Sequence, residues 1–449
     1  MDLDRLESLR MLRELGESPY LADAGELGLV LYVEGGSVSM VGRVLTIRRM
    51  GKMCFATVSY CGLPNSPKTF RIQIVFQQGY TTDGWREIVK HIGTGDLLYI
   101  NGTYKTTTAG EESIFVQSFN VLSKALTTIP YGQEKDGEAF NQVRDAELLM
   151  RHRHLAMLID DELRARLVAR SRIISKLRNA LDSDEYIEVQ TPTLLSIPGG
   201  AEAKTFDTHY NAYEADVKLR ISLEIQLKKL LCGGFERVYE IGTVFRNEGI
   251  SAHHNPEFTL LEYYTAYDSF QAGVKRFKGL IEYASDGNIA SSDWTVMTMR
   301  EAIQNYTGSD IEDWYHYEDF VECVERAMKE HVEPNLTSPT IITHHPARMS
   351  PLARHYGMYA ERFEAYINGM EIANGFCEQN DPQVQLEAFE TQHAQFGNPI
   401  DHDFIYALSC GMPPAFGVGI GIDRLVMALT GAQHIRQVSW FPYTKPVKE

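Results

Sequence analysis

The stretch FRNEGISAHHNPEFTLLEYYTAY, residues 245–267, decides the fold. Arg246 follows an apolar strand, a polar loop comes next, and the chain returns as a second strand carrying a carboxylate and a phenol. Residues two apart on a strand share a face, so Glu262 and Tyr264 point the same way. Downstream, EIANGFCEQND at 371–381 sets Asn374, Phe376 and Glu378 at the same period, and GVGIGIDRLVMAL at 417–429 holds a second arginine, Arg424. A solvated sheet face would explain alternating polarity, but Leu260 and Phe376 lie on the same faces as the acids, which points to a cavity. Neither GxxxxGK[ST] nor GxGxxG is present. A nucleotide bound to this antiparallel hairpin would therefore be held by side chains.

Composition bounds the rest. At 449 residues and 44% hydrophobic content the chain can bury a large core and fill two or three domains. It has no run long and apolar enough to cross a bilayer, and its start, MDLDRLESLR, is charged where a signal peptide is apolar. A soluble, cytoplasmic protein is expected. Six scattered cysteines with no CxxC pair read as reduced, and His253-His254 has no thiol or acid at zinc-ligand spacing. A net charge of -17 argues against indiscriminate coating of nucleic acid. It leaves room for a local site, because charges beyond about 8 Å are screened at physiological salt. RVLTIRRMGK, 43–52, carries Arg43, Arg48, Arg49 and Lys52 with no acid among them.

Leu3, Leu6, Leu9, Leu12 and Leu15, followed by Gly16, predict a short amphipathic helix. From 37 to 125 five β-rich runs separated by turn-rich pieces predict a small antiparallel barrel of OB-fold size. Residues 126–146 are polar and aperiodic, as in a linker, and 147–182 are helical in pattern. The remainder alternates helices and strands without a βαβ rhythm, which predicts an α+β domain on an antiparallel sheet. The expected organisation is an N-terminal helical segment (1–36), the OB-fold (37–125), a linker (126–165) and a sheet domain (166–449).

The chain resembles the class II lysyl-tRNA synthetases. The resemblance runs from RLESLRMLRELGESPY (5–20) through GRVLTIRRMGKMCF (42–55) to GIDRLVMALTGAQHIRQVSWFP (421–442). DEYIEVQTPTLLSIPGGAEAKTF (184–206), FERVYEIGTVFRNEGISAHHNPEFT (235–259) and GVGIGIDRL (417–425) match motifs 1, 2 and 3, while LLEYYTAY and ANGFCEQNDP narrow the match to the lysine enzymes. The resemblance implies an OB-fold that binds the anticodon and a class II catalytic domain, an antiparallel β-sheet flanked by helices. It implies a cytoplasmic homodimer that activates L-lysine with ATP and Mg²⁺ and esterifies tRNA(Lys), with no DNA or membrane partner.

Joining a carboxylate to an α-phosphate brings two anions together, so fixed cations and positioning matter more than a general base. Guanidinium groups suit this task because they stay charged and bond phosphate in a fork. By resemblance Arg246 and Arg424 are catalytic, and both bind ATP with Glu248, His254, Asn255, Phe258 and Glu371. Glu364 and Glu371 are the Mg²⁺ carboxylates. Gly200, Glu224, Arg246, Glu262, Tyr264, Asn374, Phe376 and Glu378 form the lysine pocket, in which Glu262 meets the ε-ammonium. Arg48, Phe55, Gln73 and Glu111 read the anticodon. Asn368-Gly369 predicts a type I′ turn between the two magnesium carboxylates. Glu371 and Asn374, three apart, share a face only if a bulge lies near Ala373.

Some residues depart from the family pattern. Leu223, Cys377, Gln379, Ala415 and Phe416 differ from RIxPE, NGxSEL and PPTxG, the barrel loop CGLPNSPKT is long, and 268–295 is short. A paralogue that ligates lysine or a related amino acid to a protein lysine is the nearest alternative, but it lacks an anticodon-binding barrel. A non-catalytic homologue would be expected to have lost the arginines or acids that stand here, and in an aspartyl enzyme Glu262 would repel the substrate.

Overall fold

The computed structural model describes residues 2–20, 33–61, 66, 68–129, 131–135, 138–142, 145–397 and 399–445. Part of the long barrel loop and parts of the expected linker lie outside these residues. The chain forms two compact units, Met1–Val168 with Trp440–Glu449, and Ala169–Ser439.

In the first unit, helix α1 (Leu3–Glu14) is capped by Asp2, whose side chain accepts from the Asp4 amide. Of its expected apolar stripe Leu9 and Leu12 are buried, whereas Leu3 and Leu15 are exposed. The five β-rich runs form β1 (Ser37–Met50), β2 (Met53–Cys61), β3 (Thr69–Gln77), β4 (Leu97–Thr106) and β5 (Glu112–Ser123), with the short helix α2 (Trp85–Lys90) between β3 and β4. They close as the barrel β1-β2-β3-β5-β4, with β3 and β5 parallel. Alternate residues such as Val38, Met40, Ala56, Val58, Ile74, Ile100 and Val116 fill its interior, as the period-two pattern requires. Asp96, fully buried, accepts from Lys124 Nζ at 2.7 Å and from the Gly93 and Ala125 amides. The segment 126–146, expected to be aperiodic, instead carries two short paired strands, Tyr131–Lys135 and Glu138–Gln142, which its polar composition masked. The helical pattern from 147 onward appears first as the short helices Ala146–Arg151 and Arg153–Ile159.

The second unit begins within helix α3 (Asp161–Ser183). Its further elements are β6 (Ile187–Glu188), α4 (Glu224–Cys232), β7 (Arg237–Phe245), β8 (Glu257–Ala266), α5 (Phe270–Ala284), β9 (Thr295–Thr298), β10 (Thr340–Thr343), β11 (Arg362–Ile367), β12 (Met370–Cys377), β13 (Ala415–Gly421) and α6 (Ile422–Thr430). Eight strands make one sheet in the order β9-β10-β11-β12-β13-β8-β7-β6, antiparallel except at its two ends. The hairpin deduced from 245–267 is β7–β8, in register from Arg237 opposite Thr265 to Phe245 opposite Glu257. Leu177, Leu181, Phe277, Ile281, Leu425 and Val426 of α3, α5 and α6 pack with Tyr263, Ala365, Val418 and Ile420 of the sheet in one core.

Two buried ion pairs pin this frame. Arg220 Nη1 donates to Glu240 Oε1 at 2.6 Å, and Glu240 Oε2 accepts from the Thr191 amide and hydroxyl, tying the motif 1 segment to β7. Arg170 Nη1 donates to Asp423 Oδ1 at 2.7 Å, while Asp423 Oδ2 accepts from the Thr259 amide at 2.8 Å and so fixes the start of α6 against β8.

Phe416 is accommodated by a glycine. It is fully buried, and a Cβ on Gly273 of α5 would fall on its ring. Gly273→Ala should therefore destabilise the protein by about 1–3 kcal/mol through overpacking. Gly279→Ala, on the same helix with open space around it, should be neutral or stabilise by about 0.5–1 kcal/mol. Urea unfolding of the two variants checks this, and equal midpoints would contradict it.

Candidate active site

The site is a cleft of about 1930 Å³ over the middle of the second unit's sheet. Strand register sets its floor. One cross-strand row runs Glu240, Glu262, Gly419, Asn374, Glu364 over five neighbouring strands, and the next contains Tyr264, Gly417, Phe376 and Arg362. The glycines of GVGIG thus have a steric purpose other than wrapping phosphate. A Cβ on Gly417 would strike the Tyr264 ring and Glu378 Oε1. Without side chains at 417 and 419, the floor between the acids stays open.

At one end of the cleft the polar loop after β7 meets α6. Arg424 Nη1 donates to both the backbone oxygen and Oε2 of Glu371 at 3.0 Å, and its Nη2 lies 2.9 Å from His254 Nε2. Partial burial and the Arg424 charge lower the pKa of His254, which favours a neutral imidazole that accepts at Nε2. Arg246 stands just beyond β7, its Nε donating to the Ile221 oxygen at 3.3 Å and its guanidinium 5.2 Å from the Phe258 ring centroid. Burial pulls its pKa down, against the charges of Glu248, Glu262 and Glu371. Glu248 is exposed on the loop and Asn255 is half-buried; both line the cleft with Phe258.

The hairpin β11–β12 carries the two acids expected for magnesium. Asn368 and Gly369 both have positive φ, 51° and 72°, as the turn prediction requires. The predicted bulge is present: Ala365 pairs with Ala373 but Tyr366 pairs with Glu371, which leaves Ile372 as the extra residue. Ile372 and Ala373 are both buried in consequence, and Glu371, Asn374 and Phe376 are half-buried and line the cleft. Glu364 accepts from Arg362 Nη2 at 2.6 Å and from the Tyr366 hydroxyl, with His345 Nε2 at 3.3 Å. Burial opposes its ionisation, but His345 and Arg362 hold its carboxyl well below the usual range. Burial and the nearby Glu364 push Glu371 up, against Arg424. Both lining groups are hard carboxylates, and among the described residues no cluster of three or more His, Cys, Asp or Glu forms a cage. This donor set fits Mg²⁺, which takes one or two carboxylates and fills its remaining positions with phosphate oxygens and water.

At the other end lie the residues expected for the amino acid. Glu262, buried, accepts from Ser222 Oγ, the Leu223 amide and Tyr264 Oη, each at 3.0 Å. Burial and the neighbouring Glu224 push it up to about 7 despite these hydrogen bonds. Gly200, at φ 84°, approaches so closely that a Cβ would lie 2.7 Å from Ser222 Oγ and 2.9 Å from Glu224 Cβ. Glu224, Asn374 and Phe376 line the cleft. Glu378 sits outside that lining, its carboxylate paired with Lys228.

The four barrel residues belong to the first unit. Arg48 and Phe55 are directly opposed on β1 and β2, and Gln73 opposes Thr57, two residues along from Phe55. Cys54 and Ala56 point inward, so half-buried Phe55 and Gln73 share the outer face. Gln73 Oε1 accepts from Ser113 Oγ at 3.0 Å, and exposed Glu111 lies just before β5. Arg49 is committed elsewhere, bonding the Val89, Lys90 and Ile92 oxygens at the end of the helix Trp85–Lys90.

Residues 145–445 match the family described as tRNA synthetases class II (D, K and N). The chain is 35% identical to a lysine–tRNA ligase of Moorella thermoacetica, covering 99% of this chain and 98% of that protein. The chain belongs to the class II tRNA synthetases. Similar lysine–tRNA ligases include those of Helicobacter pylori (36% identical; 99% and 96% covered) and Enterococcus faecalis (38%; 90% and 86%).

Several residues of this synthetase site were not picked out by sequence reasoning: Ser222, Lys228, His345, Arg362 and Tyr366. Arg362 lies at period two from Glu364 and Lys228 at helical spacing from Glu224, which were usable signals. The Ser222 and His345 contacts depend on how distant segments pack. A raised carboxyl gives a pH test. Ionised Glu262 attracts an ammonium and protonated Glu262 does not, so KM for lysine should rise as pH falls below about 7, approaching about tenfold per unit. Glu262→Gln should raise KM and flatten that dependence in ATP–pyrophosphate exchange between pH 5.5 and 8.5; an unchanged slope would contradict the assignment.

Proposed function

We propose that the chain is a lysine–tRNA ligase that joins L-lysine to the α-phosphate of ATP and passes it to the 3′ end of tRNA(Lys). The observation that carries this reading is the cleft across the sheet, with a buried acid that has no ion-pair partner among the described residues at one end and arginines with two magnesium-type carboxylates at the other.

In this reading Arg246 holds the substrate carboxylate and the α-phosphate side by side, where negative charge grows during attack. Arg424 takes the γ-phosphate end, exchanging its bonds to Glu371 and His254 for phosphate oxygens. Phe258 and Arg424 sandwich the adenine, and Glu248, His254 and Asn255 close the loop over the nucleotide. Glu364 and Glu371 hold Mg²⁺, which supplies Lewis-acid neutralisation of the polyphosphate. Glu262 and Tyr264 receive the ε-ammonium, and Glu378, paired with Lys228 outside the cleft lining, adds negative charge beside them. Glu224, Asn374 and Phe376 shape the pocket, and Gly200 brings its backbone against the substrate. Two cations fixed before the reaction stabilise the transition state without reorganisation, and no general base is needed.

The mixed anhydride must be shielded from water until tRNA arrives. Arg48, Phe55, Gln73 and Glu111 form the anticodon surface, where an unpaired base stacks on Phe55. Motif 1 makes the enzyme a homodimer, working in the cytoplasm. Among the described residues no helix is long and apolar enough to cross a membrane. Ligation of lysine to a protein is disfavoured by the five-stranded barrel and by the near-complete coverage of the relatives' length.

ATP–pyrophosphate exchange across the twenty amino acids should respond to lysine above all others, and Arg246→Ala or Arg424→Ala should lower kcat by about 10²–10³. Exchange with another amino acid but not lysine would overturn the specificity. Phe55→Ala should lower kcat/KM for charging of tRNA(Lys) by about 5- to 150-fold, the equivalent of one lost base stack, while leaving exchange within about twofold. Unaltered charging would remove the barrel's role.

A further inference from the structure

Sequence reasoning found acids in the amino-acid pocket and no base beside them other than Arg246. The structure adds one. Lys228, one turn along α4 from Glu224, has no exposed side-chain surface. Its ammonium lies 2.5 Å from Glu224 Oε1, forms an ion pair with Glu378 Oε2, and lies 5.3 Å from the Phe376 ring centroid and 5.9 Å from that of Phe404. Burial opposes its charge, but Glu224 and Glu378 outweigh burial and raise its pKa, so the group is an ammonium. Its neighbour Lys229 faces outward to Asp403. Glu262 differs from the other two pocket acids, because among the described residues no lysine or arginine forms an ion pair with it.

The three acids therefore share one internal cation. A free lysine brings two ammonium groups, and its carboxylate falls to Arg246, so Glu262, the acid that no internal ammonium holds among the described residues, is left to meet a substrate ammonium. We propose that Lys228 is a positioning residue for amino-acid selection: its ammonium ties Glu224 of α4 to Glu378 beyond β12, fixing both acids and leaving Glu262, unpaired among the described residues, to the substrate. The inference rests on the lysine-activating function. It assigns Lys228 a role exerted through Glu224 and Glu378 and not by touching the reacting atoms. Without the tie, two buried carboxylates would repel each other or take up protons, and neither keeps its place for a substrate ammonium.

The test is a double-mutant cycle in ATP–pyrophosphate exchange on the full chain, with Lys228→Met, Glu378→Gln and both together. Each single change should raise KM for lysine by about tenfold or more and leave KM for ATP within about twofold. Because both remove the same tie, the double variant should stay within about threefold of the worse single. Lysine and ATP KM values that move together, a lysine KM unchanged by Lys228→Met, or a double variant showing the product of the two singles would each overturn the inference. Should Lys228→Met alone fail to fold, the double variant, which loses one charge of each sign, is compared with Glu378→Gln. A lysine KM equal within about threefold supports the tie, and a further tenfold rise refutes it. A wild-type protein without lysine-dependent exchange refutes the functional reading and this inference with it, whereas an active wild type with the wrong cycle refutes the inference alone.

Discussion

A buried carboxylate that has no paired cation among the described residues is the constraint on which this molecule turns. Glu262 lies beneath the surface of a sheet, satisfied by Ser222, Leu223 and Tyr264 but not neutralised. Such a group is costly unless a ligand completes it, because desolvation disfavours its charged form. The sheet tolerates it by anchoring everything around it. Arg220 and Glu240 lock the neighbouring strand, Arg170 and Asp423 lock the helix that follows β13, and Lys228 settles Glu224 and Glu378. Folding free energy and substrate recognition thus draw on the same charges.

The geometry also explains how one flat sheet serves two chemically different ends. Gly417 and Gly419 remove side chains from the centre of the floor, so a substrate can lie across the strands from the acid-rich end to the arginine-rich end. The bulge at Ile372 changes the parity of β12. It lets Glu371 share the cleft with Asn374 and Phe376, which an unbroken strand of the same sequence would forbid.

Much of this was legible from local rules. The β7–β8 hairpin, the five barrel strands and the positive-φ turn at Asn368-Gly369 follow from period-two patterning and turn chemistry, because these depend on neighbours close in the chain. The bulge follows only once the resemblance puts Glu371 and Asn374 in one site. The paired strands Tyr131–Lys135 and Glu138–Gln142 were not legible, since a polar segment without alternation gives no period to detect. Lys228 was missed for another reason. Adjacent lysines on a helix look solvated, and only the packing of α4 against Phe376 and Phe404 separates the inward Lys228 from the outward Lys229. His345, which holds Glu364, was hidden because it comes from a distant segment, whereas Arg362 stood in view at period two from that acid.

The most direct measurement of the central claim is calorimetric titration of the protein with L-lysine and with 2-aminoheptanoate, which replaces the ε-ammonium by a methyl group of nearly the same size. At pH 8.5, above the pKa of about 7 at Glu262, the account predicts that lysine binds at least about a hundredfold more tightly than the isostere, since the isostere would leave the buried carboxylate without a partner. Equal affinities would contradict the account.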